Sequence, residues 1–299
     1  MHGSPCTYFT VKPAPNYPIG SMILGKSRQE VAELLPRVFN LCRTSQSIAV
    51  NTALDLPVKN NIAELNKEIL LNHVMRLCVI MPRHFGLPQI RLPKDWHSGN
   101  LNLRKALFGP LGNLPVSLDD FKNFLESGVG IAGLLNKVAV FFAPGEGISR
   151  ALPFVSVKTA TNPYSIVDNS CAQRVKRHPV VASMATDIGQ YRSLFWRLVA
   201  ISYDLEASLN NAPLKVIVSR RGCVHVPATR GLYTVSAQHD GEKVTHFTRV
   251  TPTDHLCVKG GVLEQVLATI LPERASILPI IMDILDPCTP LCIEKITNA

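Results

Sequence analysis

Two thiols sit close together near the C-terminus, in the run Asp286-Pro287-Cys288-Thr289-Pro290-Leu291-Cys292. Paired thiolates chelate zinc, copper(I) or iron, ions soft enough to accept sulfur. Two incidental cysteines in a C-terminal cap would look the same. A closed zinc site also needs a second ligand pair, and Cys6, Cys42, Cys78, Cys171, Cys223 and Cys257 offer no second close one. Most of these are expected to be small core residues in a reducing compartment rather than a disulfide framework. Cys42 stands apart from them. In Leu35-Pro36-Arg37-Val38-Phe39-Asn40-Leu41-Cys42-Arg43-Thr44-Ser45-Gln46 it lies between two arginines, and nearby cations draw a thiol toward thiolate. A place on the apolar face of a helix would equally make it core. The third group is Val226-Pro227-Ala228-Thr229-Arg230-Gly231, followed after a hairpin by Thr251-Pro252-Thr253. An Arg-Gly at a strand start can aim a guanidinium at an anion, with threonine hydroxyls behind it. A surface arginine at a turn is the commoner use of that pattern.

The elements that must position these groups are read from periodicity. A short strand and an extended loop with Pro13, Pro15 and Pro18 are expected first. Ser27-Arg28-Gln29-Glu30 has the capping-box form and opens a helix toward Leu35, with Pro36 interrupting it. A second apolar segment runs from Val38 to Leu54. Ile62, Leu65, Ile69, Val74, Leu77 and Met81 repeat at helical spacing, giving a long amphipathic helix that stops at Gly86. Residues 87–115, rich in Pro, Gly and Asn, are expected to be a long connection. Ser117 caps a helix through Glu126, a further helix covers Ile131 to about Phe141, and residues 143–180 are expected to be irregular. A long helix carries Ile188, Tyr191, Phe195, Leu198, Ser202, Leu205 and Leu209 on one face. Short strands are expected at Val216–Val218, Leu232–Ala237 and Val244–Val250, with Asp240-Gly241 as a hairpin turn. Two final helices, Val262–Ile270 and Ile277–Leu285, complete an α+β protein, mainly helical with a small antiparallel sheet.

The chain has 299 residues, 46% of them hydrophobic and 18% charged, which is the composition of a folded protein and excludes a disordered or fibrous one. Its formal charge is +9. The basic residues are scattered, the densest groups being Arg174, Lys176, Arg177 and the pair Arg220, Arg221. Aromatics are only 6%, so the stacking platform of a single-strand binder is missing and no nucleic-acid partner is expected. A basic surface suited to an acidic partner is the better reading. The most apolar stretch, Val129 to Phe142, is broken by Asn136 and Lys137 and is too short for a bilayer. Met1 to Cys6 lacks the charged start and apolar run of a signal peptide, so a cytoplasmic location without membrane contact is expected.

Taken together, the three groups resemble the large subunit of nickel–iron hydrogenases. That family carries an N-terminal Arg-x-Cys-Gly-x-Cys, a middle Pro-Arg-Gly before a hairpin and a C-terminal Asp-Pro-Cys-x-x-Cys. The resemblance runs over nearly the whole chain, including His178-Pro179-Val180-Val181-Ala182 and the long helix after it. It is strongest to the shortened hydrogenase expression/formation proteins of the HupK/HoxV type, through the pieces around Cys42 and the stretch from Arg76-Leu77 to Pro82-Arg83-His84-Phe85-Gly86-Leu87-Pro88.

The resemblance implies one hydrogenase-large-subunit-like domain over residues 1–299, with its β-hairpin region at about 214–252. In hydrogenases the first cysteine of each pair binds nickel terminally and the second bridges nickel to iron. Here Phe39 occupies the first N-terminal position and Cys42 the bridging one. Cys288 matches the terminal ligand and Cys292 the bridging one, with one residue inserted between them. Lys295 stands where the family has a histidine after the last cysteine, and the family's Glu-Gly-His segment is missing. Nickel has thus lost a ligand, while iron can still be held by Cys42 and Cys292. Arg230 corresponds to the arginine that hydrogen-bonds an iron-bound cyanide, Thr253 would serve the other cyanide, and Asp286 would support Arg230.

The function this implies is non-enzymatic. It is an assembly scaffold that carries iron with two cyanides and one carbon monoxide, Fe(CN)2(CO), without nickel, and passes it to the immature large subunit. The expected partners are the cyanide/CO assembly complex, its small chaperone and the large-subunit precursor. A metal-free docking mimic of the large subunit and a degenerate hydrogenase subunit are the alternatives.

Overall fold

The structure is a computed structural model that describes residues 6–12, 19–58, 62–187, 189–219 and 222–298. The expected loop with Pro13, Pro15 and Pro18, and the basic pair Arg220 and Arg221, lie outside these residues. After β1 (Cys6–Lys12) and the short α1 (Ile19–Ile23), Ser27 opens α2 (Arg28–Val38) with its capping box. The Glu30 amide donates to Ser27 Oγ at 3.2 Å and the Ser27 amide to the Glu30 carboxylate at 2.9 Å. Pro36 does not interrupt this helix as expected. It falls in the last turn, where its missing N–H costs one bond, and the chain leaves helical geometry at Phe39. A 3-10 turn, Asn40–Cys42, leads into α3 (Arg43–Ala53).

The long amphipathic helix is α4 (Ile62–Met75), which widens into a π turn at Arg76–Ile80 and resumes as α5 (Met81–His84). The connection expected at 87–115 holds a 3-10 turn, Trp96–Ser98, and α6 (Leu101–Phe108). Its asparagine and glycine act as punctuation: Asn100 accepts from the Leu103 amide at 3.1 Å, and Gly109 ends the helix with φ 86°. The Ser117-capped α7 (Leu118–Ser127) and α8 (Ala132–Ala139) follow. The region expected to be irregular contains β2 (Ile148–Arg150) and α9 (Ala172–Val175), and then come α10 (Pro179–Asp187) and β3 (Tyr191–Ser193). Strands β2 and β3 pair antiparallel. The long helix, α11 (Leu194–Leu209), begins later than expected. Tyr191 belongs to β3, Ile188 lies outside the described residues, and Ser193 accepts from the Trp196 amide at 3.1 Å. Because α11 is buried on nearly every side, Arg197 and Asp204 included, it runs through the core rather than over it.

Strands β4 (Ile217–Val218), β5 (Val224–Ala228), β6 (Gly231–His239) and β7 (Val244–Val250) form an antiparallel sheet in that order. Strand β5 escapes a reading by alternation because all five of its residues are buried. The chain then forms α12 (Pro252–Cys257), α13 (Val262–Leu267) and α14 (Leu278–Leu285), and ends in β8 (Cys292–Asn298), an unexpected strand that pairs antiparallel with β1. The architecture is α+β, mainly helical with small antiparallel sheets. The main apolar core packs Leu77, Leu107, Leu135, Trp196, Leu263 and Ile281 together. A second cluster joins Ile48 and Ala49 of α3 to Val226, Tyr233 and Val235 of the sheet. Among the described residues, no helix is long and apolar enough to cross a membrane.

Candidate functional site

Three chain segments meet around a cavity of about 270 Å³. The turn before α3 supplies Phe39 and Cys42, the β5–β6 junction supplies Arg230, and the loop after α14 supplies Cys288. Gly231 makes that junction possible: a Cβ there would stand 2.4 Å from the Asn169 carbonyl oxygen. Only glycine lets the strand start so close to the neighbouring loop and turn Arg230 inward.

Cys42 is the N-cap residue of α3, with its thiol at the cavity wall. Burial pushes this thiol up to about 11, and neighbouring Cys288 and Glu68 add to the rise. The Gln46 amide and the Arg230 guanidinium oppose it. The amide nitrogen of Gln46, one turn along α3, lies 3.5 Å from Cys42 Sγ and donates to the Phe39 carbonyl at 2.5 Å. Cys288, also on the cavity wall, is held by Thr253, whose Oγ1 donates to Cys288 Sγ at 3.0 Å and accepts from the Cys288 amide at 2.8 Å. The Phe39 ring carries the Arg249 guanidinium 3.7 Å above its centroid, which fixes an apolar wall where the resemblance puts a ligand cysteine.

Arg230 is held from behind. Its Nε donates to the Asp286 carbonyl and its Nη2 to Asp286 Oδ1, both at 2.9 Å. Arg76, at the π turn, pairs with the same carboxylate and donates to the Asp283 carbonyl. Asp286 caps α14 in the left-handed region, with φ 52° and ψ 58°, a conformation costly for a residue other than glycine and kept here by two guanidiniums. Nη1 of Arg230 is buried and has no partner among the described residues. A buried, unpaired charged donor beside two thiols is what an anionic ligand on a thiolate-bound metal would use.

The structure therefore brings Cys42, Cys288, Thr253, Arg230 and Asp286 together. It does not bring Cys292, the expected partner of Cys42, to them. Cys292 is exposed, begins β8 opposite Lys12, and does not line the cavity. Thr253 is also placed otherwise than expected, since its hydroxyl is engaged with Cys288. Sequence reasoning assigned no role to Gln46, Arg76, Tyr233 or Arg249. The i+4 spacing from Cys42 could have pointed to Gln46, whereas the other three are brought in by long-range packing alone.

His73, Cys171 and Asp204 form a second cluster with ligand atoms within 4.8 Å of one another. Arg174 donates to both Asp204 oxygens, at 2.7 and 2.6 Å, and His73 bonds the same carboxylate at 2.8 Å. A cation there would have to displace a buried guanidinium, so the cluster is a structural ion pair.

No family model matches the chain. Among solved structures, an oxygen-pressurised variant of the nickel–iron–selenium hydrogenase of Desulfovibrio vulgaris Hildenborough is similar with a TM-score of 0.49 and 13% identity, over 90% of each chain. The reduced form of that hydrogenase gives 0.48 and 14%, again over 90% of each chain. In sequence, the hydrogenase expression/formation protein HupK of Rhodobacter capsulatus is 37% identical over 290 residues, covering 97% of this chain and 94% of that protein. With that identity maintained across almost the full length of both, the chain belongs to the HupK family of hydrogenase expression/formation proteins.

Proposed function

We propose that this protein is a non-enzymatic maturation factor for a nickel–iron hydrogenase. It would act in the cytoplasm as a scaffold that receives Fe(CN)2(CO), holds it in the cavity and passes it to the large-subunit precursor. The observation that carries this reading is the cavity itself: two thiols on its wall beside a buried guanidinium that keeps one N–H group unpaired. Iron with strong-field ligands needs soft thiolates, and the nitrogen end of a bound cyanide needs a donor. Cys42 and Cys288 would supply the sulfur, and Nη1 of Arg230 the donor. The other alkyl and aromatic walls, Phe39, Leu41 and Pro290 among them, would keep water off the unit.

The chemistry also supports release. With its thiol at about 11, Cys42 must give up a proton to take iron at pH 7. That proton competition loosens the grip, as a transfer protein requires. Partners on this reading are the cyanide/CO assembly complex with its small chaperone, and the precursor subunit.

The test is infrared spectroscopy with metal analysis on protein purified without oxygen from cells expressing the maturation machinery. Carbon monoxide and cyanide stretches with iron and no nickel are expected. They should vanish in Cys42→Ser and in Cys288→Ser and persist in Cys292→Ser. Iron-free protein without such bands, and a Cys42→Ser, Cys288→Ser double variant that still supports hydrogenase formation, would replace the scaffold with a metal-free docking mimic. Nickel in the protein together with hydrogen uptake would make it an enzyme instead.

A further inference from the structure

A second, smaller cavity of about 60 Å³ shares Arg230 with the first but reaches neither Cys42 nor Cys288. It lies between α11, the loop before α9, the β5–β6 junction and α14. Much of its wall is apolar, including Val167, Ile201, Val262 and Ile284. Four of its lining residues keep buried polar atoms without a partner among the described residues: Oγ of Ser170, Nε of Arg197, Oγ1 of Thr229 and Nη1 of Arg230. Arg197 and Thr229 are only 6% and 1% exposed. Two of the four atoms can only donate, and the other two are hydroxyls that can turn to do so.

The charges around this chamber do not balance. Asp168 is taken by Arg192 at 2.8 Å and Arg197 at 3.1 Å. Asp286 is taken by Arg76 and Arg230, and Asp204 by Arg174 together with His73. Five guanidiniums thus share three buried carboxylates. The next acid, Asp283, is exposed enough to be solvated and is held by His84 at 2.5 Å. Cys171, on the cavity wall, does not supply the missing negative charge, because burial and then the Asp204 carboxylate push its thiol far up. Water could satisfy the free donors, but it would leave the excess positive charge uncompensated in a poorly polarisable interior.

We infer that this inner chamber binds one small monovalent anion, held by Arg197 Nε, the Thr229 hydroxyl and Arg230 Nη1. The volume fits about two water molecules, enough for a monatomic or small triatomic ion. The apolar walls favour ions that shed water easily, such as thiocyanate, azide or iodide, over sulfate or phosphate. The site stands whether or not the outer cavity carries iron.

The experiment uses the full-length, iron-free protein. Calorimetric titration with thiocyanate at low chloride is expected to give one saturable site per chain, with sulfate not competing. Thr229→Val, which keeps the shape of the side chain and removes one hydrogen bond, should weaken binding about tenfold. An iodide-soaked crystal of the unaltered protein gives a readout that needs no variant: an anomalous peak inside the chamber is expected. Unsaturable binding that Thr229→Val leaves unchanged, or iodide on the surface only with water alone in the chamber, would overturn the site.

Discussion

At the scale of single residues, burial rather than neighbouring charge governs the site thiol. The sequence places Cys42 between Arg37 and Arg43, yet both arginines are exposed, and the rise is opposed by the Gln46 amide and then by Arg230, from far along the chain. Burial lifts Cys42 from 9.0 to about 11, and Cys78 and Cys257 to about 12. A raised folded value gives stability that is complete below the unfolded value and lost as pH climbs toward the folded one. Above pH 9 the unfolded chain sheds thiol protons that the native state retains. Stability should therefore hold up to about pH 9 and fall between pH 9 and 12. Denaturant midpoints of the iron-free protein across pH 8 to 11 check this, and Cys42→Ser should make the decline shallower. A midpoint that stays level to pH 11 would mean that Cys42 is more solvated than the cavity suggests.

At the scale of elements, the site depends on two junctions. The first is the β5–β6 turn, where Gly231 lies against the backbone of Asn169. A Cβ there meets a carbonyl oxygen rather than a flexible side chain, so the strand or the loop must move. Gly231→Ala should destabilise the protein by about 1–3 kcal/mol, read as a lower Tm. It should also reduce retention of the iron unit, because Arg230 shifts with the junction. The second junction is the entry to β8. Pairing with β1 commits Cys292 to the surface opposite Lys12, so this thiol should react with iodoacetamide far faster than Cys42. Peptide mapping after a short alkylation pulse, with and without bound iron, reads both at once. Equal labelling of Cys42 and Cys292 would contradict the placement.

At the scale of the whole molecule, one apolar cluster runs from Phe9 in the first strand to Ile284 near the end of α14. Ion pairs stitch the parts that this cluster leaves apart. Asp168 ties its loop to Arg192 of β3 and Arg197 of α11. We expect one cooperative thermal transition for the chain. Asp168→Asn should lower its midpoint by the equivalent of about 3–5 kcal/mol, because two buried guanidiniums lose their carboxylate. Two separate calorimetric transitions would divide the chain into independent units. The +9 charge acts at this scale too, favouring long-range encounter with an acidic partner without fixing where it docks.

The sequence by itself determined what local physics controls. Ser27 and Glu30, Ser117, and the apolar repeat from Ile62 to Met81 carry their own helix signals, and the residues around Cys42, Arg230 and Cys288 carried the family. Elements with mixed signals were not legible in this way. Strand β5 is buried on both faces and shows no alternation, α6 hides behind the asparagine that caps it, and β8 exists only because β1 lies beside it. The site was legible as a set of residues but not as a geometry. Spacing near the C-terminus does not separate Cys288 from Cys292, and the tertiary structure puts the first at the cavity and the second on the surface. The β1–β8 ladder satisfies the backbone of residues 292–298 and so draws Cys292 away, while the Thr253 hydroxyl holds Cys288 at the cavity. The second guanidinium on Asp286, the Arg249–Phe39 stack and the inner chamber likewise arise from contacts between distant segments, which no local pattern encodes.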